Sequence, residues 1–304
     1  MTISIDPKVA KKFKAMSYSA LSDQFNDECE NGNFDNVRYL LTSSEMKHID
    51  TFMFIDRGFV KACEKGHLEI VKYLSSSKEL EVHANLLENN SIAFRLAAYN
   101  GYDDITKYLL SSKDLKKHAN IHANEEEIFR SACYKGNLPL VKFLLTSPDL
   151  KEHANINKYG MNNSGLVMAC ESGKLEVIEY LLTSSELKEH AEINQVMSLP
   201  LRYAASAGHL AVVKYLLTSP KLKEHSDLHG ADEDPFAQAL IKNHADILSF
   251  FIFDMNIPRS KNIDKHLTAM PNDFVEKCFK IRELHKEMNV NLPIKKSKKK
   301  MVKV

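Results

Sequence analysis

The apolar positions of the chain fall into one pattern that comes round about seven times, and it is fullest between Phe129 and Ile156. A bulky apolar residue is followed four positions on by a small one. Three residues later comes a glycine, and after it an apolar stripe at helical spacing. Phe25, Phe59, Phe94, Phe129, Leu166, Leu201 and Phe236 hold the bulky place. Cys29, Cys63, Ala98, Cys133, Cys170, Ala205 and Leu240 hold the small one. Gly32, Gly66, Gly101, Gly136, Gly173, Gly208 and finally Asn243 close the unit, at intervals of 34, 35, 35, 37, 35 and 35 residues. A period of that length is the signature of stacked repeats. Residues four apart share one face of a helix, so the bulky and small positions predict a short first helix. The stripe L-x-x-V-K-Y-L-L and its variants (Leu68–Leu74, Leu138–Leu145, Leu175–Leu182, Leu210–Leu217) predict a second.

The ends depart from this rhythm. Residues 1–22 open on Asp6-Pro7, an N-cap and first-turn pair, followed by Val9, Phe13 and Met16 at helical spacing. They predict a capping helix, because the outer face of a terminal repeat needs a cover. The repeats run over 23–256. Beyond them Ile263, Leu267, Met270, Phe274, Cys278, Ile281 and Met288 keep a helical spacing broken at Pro271. That spacing predicts two helices, about 262–269 and 272–288, in a helical cap over 257–290. Residues 291–304 follow as a basic tail, read as solvated and disordered; a nuclear-import or anionic-membrane patch is the other reading.

Charge sharpens the view of partners. The formal charge of +1 conceals six lysines (Lys295, Lys296, Lys298, Lys299, Lys300, Lys303) in the last ten residues. Without them 35 basic residues face 40 acidic ones, a net charge of −5. A body of that sign is a poor polyanion binder, so nucleic acid is not expected as the main ligand. No run of 18 apolar residues predicts a transmembrane helix, and no apolar stretch of signal-peptide length opens the chain.

Candidate chemistry is sparse. The sequence has no phosphate-cradling glycine loop, zinc-protease motif, nucleophile elbow or C-x-x-C pair. Four of the five cysteines occupy the small slot that alanine also fills, which makes them packing residues in a reducing compartment. Neighbouring copies would lie about 10 Å apart, beyond disulfide reach. Cys278 and His285 are two helical turns apart, about 10 Å, too far for a nucleophile and its base. The reading is therefore non-enzymatic, with no catalytic, cofactor-binding or metal-binding residues and no small-molecule substrate.

The pattern A-C/A-x-x-G-H-L-x-V-V-K-Y-L-L resembles the ankyrin repeat, most closely at Gly66–Leu68 and Gly208–Leu210. Leu199-Pro200-Leu201 and Asp234-Pro235-Phe236 stand where that family has T-P-L, and His153–Asn157 and His190–Asn194 resemble its G-A-D-V-N. The resemblance covers roughly residues 23–256. It implies an all-α, ankyrin-type helical-repeat solenoid of about seven repeats with helical N- and C-terminal caps. Three departures accompany it. His83, His118, His153, His190 and His225 replace a glycine, and they are expected at a helix C-terminal position where positive φ is tolerated. The connector T-S-P-D-L-K-E and its variants predict one extra helical turn, anchored by Leu80, Leu115, Leu150, Leu187 and Leu222, with Met46 in the first copy. Arg95, Arg130 and Arg202 take the place of the family's histidine, so apolar stacking is expected to carry more of the cohesion between repeats.

In this family the variable pair after the small slot faces the ligand on the concave side. The resemblance therefore implies partner-binding positions at Glu30-Asn31, Glu64-Lys65, Tyr99-Asn100, Tyr134-Lys135, Glu171-Ser172, Ser206-Ala207 and Ile241-Lys242. Tyr and Arg are enriched at interface hot spots, which selects Arg95, Tyr99, Asn100, Arg130, Tyr134, Lys135 and Glu171. The implied function is protein–protein recognition in the cytoplasm. Thirty-four lysines against seven arginines, and the connector, are similar to ankyrin-repeat effectors that intracellular bacterial pathogens secrete into the host cell. The tail would then belong to a secretion signal. Two other readings stand beside it: an enzyme whose active region lies in the C-terminal 50 or so residues, and a nuclear or chromatin-associated factor using the lysine tail.

Overall fold

A computed structural model describes residues 5–43, 55–87, 91–158 and 164–290, with the side chains of 230–233 and 288–290 excepted. Met46, Met288 and the tail 291–304, all named above, lie outside the described residues or side chains. Among the described residues the chain forms 17 α-helices and no strand, the all-α ankyrin-type repeat fold. Helix α1 (Pro7–Lys14) is followed by seven helical pairs. These are α2 (Tyr18–Asn31) with α3 (Phe34–Thr42), α4 (Ile55–Lys65) with α5 (Leu68–Ser76), α6 (Ile92–Asn100) with α7 (Asp103–Ser111), and α8 (Ala123–Lys135) with α9 (Leu138–Thr146). Then come α10 (Gly165–Glu171) with α11 (Leu175–Thr183), α12 (Gln195–Ala207) with α13 (Leu210–Thr218), and α14 (Gly230–Ile241) with α15 (Ala245–Ser249). Helices α16 (Lys261–Ala269) and α17 (Asp273–Val290) complete the chain. Helix α2 begins inside the 1–22 stretch, because Ser17 caps it through its side chain, accepting from the N–H of Ala20. Two compact units result: Met1–Ala169 with Glu176–Ala191, and Cys170–Leu175 with Glu192–Val304.

Each first helix turns its bulky and small columns into the core. Phe25, Phe59, Phe94, Phe129, Leu166, Leu201 and Phe236 are all buried, and so are the seven residues of the small column. The glycine that ends the helix adopts the left-handed conformation, at φ 77° in Gly32 and 84° in Gly101, and Asn243 takes the same region at 57°. The next residue's N–H then reaches back to a carbonyl of the first helix, as His67 does to Ala62 at 2.9 Å. In four repeats a ring lies across the preceding repeat's glycine: His67 over Gly32, Tyr102 over Gly66, His209 over Gly173 and His244 over Gly208. The three histidines also donate Nε2–H to a backbone carbonyl, of Glu30, Glu171 and Ser206, at 2.8–2.9 Å.

The connector differs from the helical turn expected of it. Ser43, Ser77, Ser112, Ser147 and Ser219 end their second helices with extended backbone. A single hydrogen-bonded turn follows, in which Leu80, Leu115, Leu150, Leu187 and Leu222 donate N–H to the carbonyls of Ser77, Ser112, Ser147, Ser184 and Ser219 at 3.1–3.3 Å. The serine hydroxyl accepts the N–H two residues on, which stops a helix from propagating.

The histidine column also has a different cause from the one expected. None of His83, His118, His153, His190 and His225 has positive φ. Each instead donates Nε2–H to that same serine carbonyl, at 2.8–3.0 Å. The residue after each histidine donates N–H back to the second helix, as Ala84 does to Leu74 at 2.9 Å. Serine, leucine and histidine together satisfy the carbonyls that a helix end leaves open.

The last repeat breaks the pattern. Its second helix is the five-residue α15, and a π-turn, Phe250–Asp254, follows. There Arg282 of α17 donates Nη1–H to the carbonyls of Ile252 and Ile257, and its guanidinium stacks 5.0 Å from the Phe279 ring.

Candidate interaction surface

The outward positions at the end of each first helix are placed by the glycine that stops it. In the first unit they form a polar, partly aromatic row. Glu30 sits between Lys65 Nζ at 3.1 Å and Lys61 Nζ at 3.3 Å. Lys65 first, then Lys61, hold its carboxyl below the usual carboxylate range. Tyr99 is 61% exposed and Tyr134 46%. Lys135 Nζ lies 4.1 Å from the centroid of the Tyr99 ring, within cation–π range. Asn100 donates Nδ2–H to the Glu64 carbonyl at 2.8 Å. Tyr99, Asn100 and Lys135 are thus joined across adjacent repeats, with Tyr134 next to Lys135 in sequence.

The arginines are more committed than their exposure implies. Arg95 Nε donates to Glu127 Oε2 at 2.6 Å, one repeat on. Burial works to raise the Glu127 carboxyl, but the hydrogen bonds from Arg95 and Asn124 outweigh it and hold the group low. Arg130 donates to the carbonyls of Glu125 and Asn124, at 3.1 and 3.3 Å, within a left-handed turn of residues 124–126 that opens α8. In the second unit Arg202 is paired with Asp234 of the next repeat. Cohesion between repeats is therefore polar as well as apolar. Glu171 belongs to the second unit, where its carbonyl accepts from His209.

A second device went unread in the sequence. The lysine that precedes the aromatic of the second helix, in K-Y or K-F, reaches the aromatic of the next repeat: Lys72 lies 5.7 Å from the Tyr108 centroid, Lys107 5.6 Å from Phe143, and Lys142 4.9 Å from Tyr180. In the second unit Lys214 and Phe250 repeat the contact at 5.3 Å. The recurring K-Y/F pair was its only signal.

The cysteines offer little nucleophilic chemistry. All five are free and buried, and burial pushes the thiols of Cys29, Cys63, Cys170 and Cys278 up. A buried thiol held neutral is a poor nucleophile. Among the described residues no group of three His, Cys, Asp or Glu is placed to hold a metal ion, and no helix is long and apolar enough to cross a membrane. A family model described as Ankyrin repeats (3 copies) matches residues 27–121, 94–196 and 128–227. No match was found among curated proteins.

Proposed function

The chain belongs to the ankyrin-repeat family, and on that premise we propose that it recognises a partner protein without catalysis, through the first-helix side of its middle repeats. Ankyrin repeats are generally protein-interaction modules. The observation that carries the finer reading is the pair Tyr99 and Lys135. An aromatic ring 61% exposed to water is held by a cation from the neighbouring repeat. A tyrosine orients at low entropic cost and offers both apolar area and a hydroxyl, which is why it dominates hot spots. Tyr134, Asn100 and Lys65 extend the row, while Arg95 and Arg130 serve it by fixing the helices on which it stands. Glu171 is the position carried by the second unit. The proposed setting is the cytoplasm. The lysine-rich composition and the serine–leucine–histidine connector support an effector delivered into a host cell.

The test is affinity capture from the relevant cell with the wild type and with Tyr99→Ala/Tyr134→Ala. Both side chains are exposed, so melting should be unchanged. Each hot-spot truncation costs about 2 kcal/mol or more, so recovery of the specific partner should fall by more than about tenfold. Equal recovery would sink the assignment of this face.

A further inference from the structure

The C-terminal helix α17 has two apolar faces and uses one. Val275, Cys278, Phe279 and Arg282 are buried. At about 100° per residue, Phe274, Ile281 and Leu284 form a second stripe roughly 120° away from them. These three side chains are 42%, 44% and 48% exposed. Lys277 lies within the stripe and Lys280 flanks it, both exposed. Three acidic groups fall on the far side: Glu276, taken by Arg259 at 2.7 and 2.9 Å, together with Glu283 and Glu287. The fourth, Asp273 in the first turn, stands at the edge of the stripe between Lys277 and Lys280. Directly after this helix the chain reads N-L-P-I-K-K-S-K-K-K-M-V-K-V, with six lysines, no acid, and Leu292, Ile294, Met301, Val302 and Val304 among them.

From this juxtaposition we propose that the exposed stripe of α17 and the lysine-rich segment after it dock the protein on an anionic lipid surface. An amphipathic helix partitions to the membrane interface through exposed apolar side chains, and adjoining lysines add electrostatic attraction to anionic headgroups. Both elements are present and contiguous. A nucleic-acid partner would use the lysines and leave Phe274, Ile281 and Leu284 in water. The remainder of the chain, at −5, is repelled by an anionic surface, so attachment is confined to this end and the repeats stay in solution. The inference uses residues of the second unit only and does not draw on the partner reading above.

The experiment is co-sedimentation of the full chain with phosphatidylcholine vesicles, either pure or containing about 30 mol% phosphatidylserine, at about 0.1 M salt. The wild type should pellet with the anionic vesicles and stay in solution with the neutral ones. Ile281→Gln/Leu284→Gln, at exposed positions that leave the fold intact, should weaken binding by at least about tenfold. Replacing the six lysines by glutamine should weaken it by about 100-fold or more. The proposal fails if the wild type ignores anionic vesicles, or if the Ile281/Leu284 variant binds them as the wild type does. It also fails if sedimentation velocity shows a dimer that this variant dissolves, since a second copy would then cover the stripe. Tighter binding to duplex DNA than to the vesicles would overturn it in favour of nucleic acid.

Discussion

Phe25→Ala should destabilise the protein by about 3–5 kcal/mol. The ring is 1% exposed in α2 and packs against α4 of the next repeat. Truncating it removes both its burial and the contacts that the surrounding helices cannot collapse to restore. The neighbouring glycine makes the test sharper. A Cβ on Gly58 would stand 2.3 Å from Phe25 Cε1 and 2.9 Å from Cys29 Sγ. Gly58→Ala alone should therefore cost about 1–3 kcal/mol through overpacking, although alanine is favoured over glycine in a helix by about 1 kcal/mol. In the Phe25→Ala background the nearer obstacle is gone and only Cys29 Sγ remains, so the cost of Gly58→Ala should fall by about 1 kcal/mol or more. Denaturant unfolding of the four proteins measures the coupling. An equal cost for Gly58→Ala in both backgrounds would show that the ring does not dictate this glycine.

The second large effect separates two reasons for the glycine column. Gly66 and Gly101 have nearly the same backbone, φ 83° and 84°. A Cβ on Gly66 would fall 2.3 Å from the Tyr102 ring, whereas one on Gly101 would meet nothing within 4 Å. Both alanine variants carry the left-handed penalty of about 1–2 kcal/mol. Only Gly66→Ala must also displace a ring, adding about 1–3 kcal/mol. Gly66→Ala should thus melt well below Gly101→Ala, and Tyr102→Ala/Gly66→Ala should close most of that gap. Equal melting temperatures for the two single variants would mean that the ring moves aside freely and that φ alone selects glycine here.

What could be read from the sequence was whatever recurs locally. The bulky column, the small slot and the glycine stop each depend on residues within one repeat, so their spacing placed both helices of every pair. The histidines were visible as a column, but their cause was hidden. Each bonds a serine carbonyl six residues back, and that bond forms only because the chain bends there. Ties between repeats were hidden for the same reason: Arg95 finds Glu127, and Lys72 finds Tyr108, across a full period. At the candidate surface the positions of Tyr99, Tyr134 and Lys135 were legible from register. Their joining was not, nor was the commitment of Arg95 and Arg130 to carboxylate and carbonyl partners. The Phe250–Asp254 π-turn had no signal, since Arg282, which donates to its Ile252 carbonyl, lies 30 residues away.

Which side of the repeats meets the partner is the claim on which the functional account turns, and a photo-reactive phenylalanine analogue reads it directly. Placed at Tyr99, at the end of a first helix, it should cross-link the partner in the relevant cell. Placed at Asp104, an exposed position on the second helix of the same pair, it should cross-link nothing in common. The same partner captured from position 104 and not from position 99 would contradict the account.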